Sequence, residues 1–431
     1  MSYEKKLMQM KGLVKKNIIK EQPKEIEPSN EVPFYTNAWM NAGLKLIQNE
    51  HGLFFVKETF YSEQHIHGNI ALSKLSSAIA YMHKNYPNHP LTIDSNYSFT
   101  FYDTETTGLK GTGVLIFLNG LLKKVDQGFL LSQFVLADPS HEAAFLYASD
   151  FWKDVQTIIT YNGKSFDLPQ LQTRWTMNRN ILPKLIQHEQ IDLMHSSKRI
   201  WKGELERFKL KQVEEQKLGF VRKDDIPGHL APIIYFDAVK SGNPTNLMKV
   251  LKHNEWDILS LITLYILSVD LLKEEEATES ALTYTNIGKW FKDLKTKEAS
   301  FEWFQFVVNH FSNKDACLAY YYVGLHLKRN QLFDESIQAF QMSLKEIDGK
   351  YRVKVYIELA KLYEHQKKNY ELALEITLQC TVYMEKIVSE LSPLKLLRLK
   401  QDIQKRKVRI TRKLNISRES AQVNKKRVVL P

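Results

Sequence analysis

The chain has 431 residues, of which 43% are hydrophobic and 25% charged, a composition typical of a soluble globular protein with more than one domain. Its two cysteines exclude a disulfide framework and a cysteine-rich metal site. The apolar runs are too short for a signal peptide or a membrane span, so we expect a cytoplasmic protein with no membrane partner.

The net charge of +11 is concentrated at the two ends of the chain. Residues 395–431 contain thirteen Lys or Arg and two acidic residues, and residues 1–24 contain seven Lys and two Glu. The remainder carries a net charge of −5. Basic tails can bind a polyanion by counterion release, but they are also typical of solvated segments that keep a protein soluble. The charge pattern leaves both interpretations open.

The N-terminal part of the sequence contains two different segments. Residues 1–30 are rich in Lys, Glu and Pro and have little apolar periodicity, so they are expected to form a flexible basic leader. In residues 31–94 the signals are mixed, with a short strand predicted at Leu53–Val56 and helical spacing at Ile70–His83. We expect a small mixed α/β segment there.

From residue 95 the sequence predicts an α/β sheet with mixed strand directions. Alternating apolar residues predict a strand that begins at Tyr97 and ends at Asp103. The later predicted elements are strands at 113–118 and 128–135, a helix at 141–153, a strand at 157–160, and helices at 167–179 and 246–272. The stretch between the last two helices is expected to contain helical pieces separated by loops.

Beyond residue 281 the pattern is helical only and repeats every 36 residues. The first copy contains Tyr284, Ile287, Gly288, Phe291, Ser300 and Phe304, the second Tyr320, Val323, Gly324, Leu327, Ser336 and Phe340, and the third begins with Tyr356, Leu359, Ala360 and Tyr363. Small residues let two helices of a hairpin approach, and aromatic residues fill the space between hairpins. Residues 281–394 therefore resemble tetratricopeptide repeats, with a generic helical bundle as the alternative and a protein as the expected partner.

Three parts of the sequence carry carboxylates suited to a shared metal site. Asp103 and Glu105 are two residues apart at a predicted strand end, so both side chains can point the same way. Asp167 opens a predicted helix, and Asp257 lies one helical turn after His253. Oxygen ligands suit Mg²⁺ or Mn²⁺, although acidic residues at strand ends and helix starts also have ordinary structural roles.

The order and context of these residues resemble the DEDD superfamily of 3′–5′ exonucleases. The resemblance covers about residues 95–275, and Asp103–Leu109 closely matches the first exonuclease motif. Within the superfamily the chain looks most like bacterial YprB-type proteins, and Ile191–Trp201 also resembles that branch. The resemblance implies a ribonuclease H-like α/β mixed sheet with flanking helices, followed by an all-α domain of tetratricopeptide-like repeats.

The resemblance also implies roles for individual residues. It implies that two divalent cations, Mg²⁺ or Mn²⁺, are held by four residues: Asp103, Glu105, Asp167 and Asp257. Glu105 would also orient the attacking water, and His253 is the candidate general base. In one subgroup a Tyr stands four residues before the last Asp, where this chain has His253. In the other subgroup a His stands five residues before it, where this chain has Lys252, so the identity of the base stays open.

Further positions match the part of the family that surrounds the terminal nucleotide. Thr106 and Leu109 match positions beside it, with Leu109 as a wedge against the base. Asn162 could contact the substrate backbone or stabilise a turn, and Asp192 matches a non-ligand position. The implied activity is release of nucleotides from the 3′ end of single-stranded DNA or RNA. The alternatives are a scaffold that only binds nucleic acid and a protein partner, or endonucleolytic cleavage on the same fold.

Overall fold

The computed structural model describes residues 31–428, apart from residues 109, 110, 112, 274 and 275. Two compact units divide the described residues. The sheet unit extends to Leu272 without residues 199–204, and the repeat unit consists of residues 199–204 and the chain after Leu272. None of the described helices has an apolar stretch long enough to cross a membrane. The N-terminal basic leader, residues 1–30, lies outside the described residues.

The N-terminal part of the sheet unit supplies two strands to the main sheet. Its elements are α1 (Thr36–Asn41), β1 (Lys45–Asn49), β2 (Gly52–Ser62), β3 (Ile66–His67), β4 (Ile70–Ala71) and α2 (Lys74–Asn85). β1 and β2 pair antiparallel, whereas β3 and β4 form a small separate ladder. Residues 31–94, which the sequence set apart as a small mixed segment, therefore complete the sheet on one side.

The remaining elements of the sheet unit form a mixed sheet with helices against it. They are β5 (Ser98–Thr106), β6 (Ile116–Val125), β7 (Gly128–Leu136), α3 (Glu142–Tyr147), β8 (Gln156–Thr160), α4 (Asp167–Met177), β9 (Glu189–Asp192), α5 (Leu193–Ile200), α6 (Leu210–Val213), α7 (Ala231–Ser241) and α8 (Thr245–Asp270). The seven strands follow the order β1-β2-β7-β6-β5-β8-β9. β5, β8 and β9 are parallel, and the other neighbouring pairs are antiparallel. The expected mixed α/β sheet is confirmed.

Three local expectations in this sheet were wrong. β5 does not end at Asp103 but continues to Thr106, because β6 pairs with it along this polar stretch. The helix expected at 141–153 is confined to α3. The stretch expected to hold only helical pieces and loops contains β9, whose four residues are too few for a period-2 pattern and depend on pairing with β8.

The core of the sheet unit is closed by α8. Its residues from Ile258 to Ile266 are all buried, so this part of the helix is enclosed on every side. Gly120 on β6 lets the helix approach the sheet, because a Cβ at that position would lie 2.3 Å from both Asn254 Oδ1 and Ile258 Cδ1. This close approach brings polar residues of α8 beside β5.

The repeat unit is a series of helical hairpins followed by one long helix. Its helices are α9 (Ala281–Asp293), α10 (Lys297–His310), α11 (Cys317–Arg329), α12 (Phe333–Glu346), α13 (Gly349–His365), α14 (Tyr370–Lys386) and α15 (Pro393–Val428). Phe304 and Phe340 pack on Gly288 and Gly324, where a Cβ would lie 2.7 Å from each ring. The 36-residue spacing therefore corresponds to equivalent helix contacts, and the expected tetratricopeptide-like architecture is confirmed.

The basic segment 395–431 is, over its described part, the helix α15 rather than a solvated tail. Glu364 on α13 is fully buried and accepts hydrogen bonds from Arg409 at 2.7 and 2.8 Å and from Lys413 at 2.9 Å. Arg406 lies 3.4 Å from the same carboxylate. Three of the basic residues thus stabilise a helix contact within the repeat unit.

Candidate active site

The structure brings the four carboxylates predicted from the sequence into one cluster. β5 carries Asp103 and Glu105, α4 begins with Asp167, and α8 carries Asp257. Burial raises the pKa of Asp103 well above its usual range, and the charges of Asp257, Asp167 and Glu105 raise it further. Burial also raises the pKa of Glu105 well above its usual range, and the charges of Asp257, Asp167 and Asp225 raise it further, whereas Arg222 lowers it. Repulsion between the carboxylates destabilises such a cluster unless a cation binds among them.

Asp103 is held by a buried amide on α8. Asn254 is fully buried and donates from Nδ2 to Asp103 Oδ2 at 2.8 Å. Gln133 on β7 donates to Asn254 Oδ1 at 2.9 Å and to the carbonyl of Leu251 at 2.7 Å. These bonds fix which atom of Asn254 faces Asp103, and they keep one oxygen of that carboxylate in place.

Asp167 is held by the strand beside it. Thr104 donates to Asp167 Oδ1 from its backbone nitrogen at 3.2 Å and from its hydroxyl at 2.5 Å. Burial raises the pKa of Asp167 to about 6, although the hydrogen bonds from Thr104 act in the opposite direction. Asp167 is not the N-cap of α4, since Phe166 occupies that position. Its carboxylate accepts from Thr104 and from its own backbone amide, and its charge acts on Asp103 and Glu105.

His253 faces this cluster with one nitrogen and a buried carboxylate with the other. It lies within α8, well past the start of that helix, and contacts the loop that carries Asp225. Its Nδ1 is 2.6 Å from Asp225 Oδ1, and its Nε2 is 3.5 Å from Asp257 Oδ2 and 4.0 Å from Glu105 Oε1. Asp225 can accept a proton from Nδ1, and Arg222 Nη1 also lies 3.2 Å from that nitrogen. With the proton on Nδ1, the Nε2 lone pair is directed at the cluster.

A buried arginine lies between His253 and Asp257. Arg222 donates two hydrogen bonds to Glu214, at 2.6 and 2.7 Å, and one to Asp257, and it lies 3.6 Å from Asp225. Burial alone would lower the pKa of Arg222, but Glu214 and Asp257 raise it above its usual value. The guanidinium therefore stays charged and offsets part of the negative charge of the site.

Sequence reasoning missed the residues that support this arrangement: Thr104, Gln133, Asn254, Arg222, Asp225 and Glu214. Arg222 and Asp225 belong to a loop without apolar periodicity, and their contacts join positions about 30 residues apart. The available signals were Thr104, between Asp103 and Glu105, and Asn254, next to His253, in segments that were already singled out.

The remaining predicted site residues take part in local structure. Thr106 is buried and donates from its hydroxyl to the carbonyl of Gly108 at 2.7 Å. Asn162 has a φ of 66° and donates from its backbone to Asp192 Oδ1 at 2.8 Å, as expected for a turn residue. Asp192 also accepts from the backbone nitrogen of Met194 at 3.0 Å. Leu109 lies outside the described residues.

The donor set fits a hard divalent cation. Glu105, His253 and Asp257 each offer one ligand atom, and these three atoms lie within 4.8 Å of one another. Carboxylate oxygens and an imidazole nitrogen are ligands that Mg²⁺ and Mn²⁺ accept. The raised pKa values of Asp103 and Glu105 show that Arg222 alone does not neutralise the cluster. The site can therefore accommodate additional positive charge.

Comparison with known proteins agrees with this geometry. Residues 100–269 match the RNase_H superfamily. Over 355 residues the chain is 34% identical to the uncharacterized protein YprB of Bacillus subtilis (strain 168). This match covers 81% of this chain and 85% of YprB. This chain belongs to the YprB family. Its superfamily domain indicates a nuclease-like hydrolase that acts on nucleic acid.

Two solved structures are similar to this chain at low sequence identity. MamA is 19% identical with a TM-score of 0.24, and the match covers 38% of this chain and 92% of MamA. A Podosopora anserina protein with nearly identical TPR-like repeats is 15% identical with a TM-score of 0.23, covering 41% of this chain and 84% of that protein.

Proposed function

We propose that this protein is a cytoplasmic, metal-dependent nuclease that releases nucleotides from the 3′ end of single-stranded DNA or RNA. One observation carries the proposal: four buried or partly buried carboxylates converge at the end of β5, and His253 Nε2 faces two of them. The RNase_H superfamily match supports the reaction class. The 3′–5′ direction is supported by the resemblance of Asp103–Leu109 to the first exonuclease motif.

The carboxylates are the proposed ligands of two divalent cations, Mg²⁺ or Mn²⁺. These are Asp103, Glu105, Asp167 and Asp257. When bound, the cations would offset the carboxylate charge, lower the pKa of a water molecule and stabilise the leaving oxygen. Asn254 and Thr104 hold two of the carboxylates in fixed orientations, so little side-chain order would have to be gained on binding.

His253 is the proposed general base. With its Nδ1 proton donated to Asp225, Nε2 can accept a proton from the attacking water. The water oxygen then forms a bond to phosphorus, and the bond from phosphorus to the 3′ oxygen of the preceding nucleotide breaks. Glu105 lies 4.0 Å from Nε2 and is placed to orient the same water. Thr106, Leu109 and Asn162 are the proposed contacts to the terminal nucleotide.

A cleavage assay tests this proposal. The protein is incubated with 5′-labelled DNA and RNA oligomers in Mg²⁺ or Mn²⁺, and with circular single-stranded DNA as a substrate without ends. We expect a ladder of progressively shorter labelled products and no cleavage of the circle. Glu105→Gln should abolish cleavage, whereas Asp154→Asn, at an exposed site in the same unit, should leave it unchanged. Inactivity of the wild-type protein on every substrate would refute the proposal, and cleavage of the circle would indicate an endonuclease.

A scaffold that binds nucleic acid without cleaving it is the second candidate. One contact favours it, because Arg222 donates to Asp257 and already supplies a cation to the cluster. A metal-free scaffold should bind an oligomer equally well with and without Mn²⁺, and its stability should not depend on Mn²⁺. A nuclease site should bind Mn²⁺ and gain stability by linkage.

A further inference from the structure

A second concave surface lies in the repeat unit, apart from the candidate active site. A groove of about 330 Å³ is formed by residues of α9, α10 and α11 and the turn between α9 and α10. Four of its residues are cationic and exposed: Lys292, Lys295, Lys297 and Arg329. Among the described residues that line the groove there is no carboxylate. The lining of the groove is therefore positively charged, with the carboxylates Asp293 and Glu298 close beside it.

The cations of this groove are largely unpaired. Within the part of the chain that the structure describes, no carboxylate lies within 4 Å of the side-chain nitrogens of Lys295, Lys297 or Arg329. Lys292 has only Asp293 near it, at 3.8 Å, and both of these side chains are more than half exposed. Such exposed pairs contribute little stability, so the charges are free to interact with an anion.

Aromatic rings lie between these charges. Phe301 and His326 stack with ring centroids 3.9 Å apart and an interplanar angle of 11°. Phe304 and Tyr322 stack at 4.7 Å and 9°, and Lys292 Nζ lies 5.8 Å from the Tyr322 ring centroid. Phe301 and His326 are only partly buried. Phe304 and Tyr322 are buried, so the accessible aromatic surface beside the positive charge belongs to Phe301 and His326.

The same pattern continues onto the third hairpin. The Tyr322 hydroxyl lies 3.4 Å from that of Tyr351, and Lys350 and Lys354 lie 5.7 and 4.8 Å from the Tyr351 ring centroid. Burial would raise the pKa of Tyr351, yet its hydrogen bond with Tyr322 and nearby lysines lower it. We call the groove together with Lys350, Tyr351 and Lys354 the basic–aromatic stripe.

We propose that the basic–aromatic stripe binds single-stranded nucleic acid, with phosphates at the lysines and arginine and bases stacked on the partly exposed rings of Phe301, His326 and Tyr351. Alternation of cations with flat rings is the arrangement by which proteins hold single strands without reading sequence. An acidic polypeptide would use the charges but would leave the stacking surfaces without a partner. This inference deepens the proposed function, because it assigns the nuclease substrate a binding surface in the repeat unit. Binding is measured without hydrolysis, so the two proposals can fail separately.

A binding experiment with two charge-matched variants tests the stripe. The full-length protein is titrated in EDTA against fluorescent dT and rA 20-mers, and anisotropy is followed at several salt concentrations. The stripe variant is Lys292→Gln with Lys297→Gln and Arg329→Gln. The control variant is Lys314→Gln with Lys345→Gln and Lys386→Gln, three exposed lysines elsewhere in the same unit.

The stripe variant should bind at least tenfold more weakly, and its salt slope should fall by about 2, since each lost phosphate contact removes about 0.7. The control variant should stay within twofold of the wild-type affinity. Equal weakening of the two variants, or no weakening in the stripe variant, would overturn the proposal. The stripe variant should still cleave a trinucleotide at the wild-type rate if the active site is intact.

An abasic 20-mer and polyglutamate separate base stacking from charge alone. The abasic strand should bind several-fold more weakly than dT, because it has the phosphates but no bases. Phe301→Leu should weaken the binding of dT and leave the binding of the abasic strand unchanged. If polyglutamate of equal charge displaces dT as effectively as unlabelled dT does, the surface is a site for an acidic protein and the proposal is wrong.

Discussion

At the scale of single residues, the candidate base depends on a carboxylate that is remote in the sequence. Asp225 lies 28 residues before His253, and their side chains are 2.6 Å apart. A buried carboxylate in this position selects the tautomer with the proton on Nδ1 and restrains rotation of the ring. Asp225 is therefore expected to act by positioning His253, without contacting the substrate.

Replacement of these two residues should reveal that dependence. His253→Gln should lower kcat by about 10²–10⁴, and Asp225→Asn by about 10–100, with little change in KM. The double variant should be no slower than His253→Gln alone, because Asp225 acts only through the imidazole. Steady-state kinetics on a 5′-labelled oligomer measure all three, with Asp224→Asn as an exposed neighbouring control. Multiplicative effects in the double variant would contradict the positioning role.

The four carboxylates could be predicted from the sequence because their signals are local. Asp103 and Glu105 share a strand face, and His253 and Asp257 are one helical turn apart. The residues that hold them could not be predicted in the same way. Asn254 meets Asp103 across 151 positions, and this contact exists only once α8 lies against β5. Hydrogen bonds of this kind follow from packing and leave no spacing in the sequence.

At the scale of elements, the active site depends on how closely α8 approaches the sheet. Gly120→Ala would place a Cβ 2.3 Å from Asn254 Oδ1 and from Ile258 Cδ1. We expect a loss of about 1–3 kcal/mol in the free energy of unfolding, as for other overpacked cores. A fall in kcat is also expected, because Asn254 is displaced from Asp103. Gly113→Ala is the control, since a Cβ there meets nothing within 4 Å. Denaturant unfolding and steady-state kinetics measure both effects. Equal stability and equal kcat of the two variants would contradict the role of Gly120.

The helical elements show the same division between local and tertiary signals. The hairpins were predictable because each pairs a glycine with a phenylalanine at the same spacing, Gly288 with Phe304 and Gly324 with Phe340. The helix α15 was not predictable, since its sequence is strongly basic and its apolar content is low. Its position depends on Glu364, a residue of α13, so composition alone favoured a tail.

The contact of Glu364 with α15 should make the repeat unit sensitive to acid. Burial would raise the pKa of Glu364, but hydrogen bonds from Arg409 and Lys413 outweigh it and lower the pKa to about 2. The stabilisation is therefore present above the ordinary value of 4.5 and is lost as the pH falls toward 2. Glu364→Gln should lower stability at pH 7 by about 1–3 kcal/mol.

Denaturant unfolding at pH 7 and pH 3 tests this contact. The wild-type protein and Glu364→Gln should differ most at pH 7 and by less at pH 3, because the carboxyl of the unfolded chain is protonated below 4.5 while the folded one stays ionised until the pH nears 2. Glu371→Gln is the control, because its pair with Arg418 is more than 60% exposed on both sides and such pairs contribute roughly 0–1 kcal/mol. An equal difference between wild type and Glu364→Gln at both pH values would refute the assignment.

At the scale of the whole molecule, each unit has its own core and its own charge pattern. The sheet unit concentrates buried carboxylates at the end of β5, and the repeat unit concentrates cations around the basic–aromatic stripe. Among the described residues, one group of three acidic or histidine side chains can hold a metal ion, and it belongs to the sheet unit. A divalent cation should therefore stabilise the sheet unit and leave the repeat unit unaffected.

Hydrogen exchange measured by mass spectrometry can locate the effect of a metal. Addition of Mn²⁺ should slow exchange in β5, α4 and α8, because these elements carry the carboxylates, and leave α11 to α14 unchanged. At a metal concentration of 100 times Kd the linkage amounts to about 2.7 kcal/mol, or about a hundredfold slower exchange through opening of the site. Glu105→Gln should remove this protection. Without metal, the same variant should exchange more slowly than the wild-type protein in β5, since one of the mutually repelling charges has been removed. Protection by Mn²⁺ that persists in Glu105→Gln, or that appears in the repeat unit, would place the metal elsewhere in the molecule.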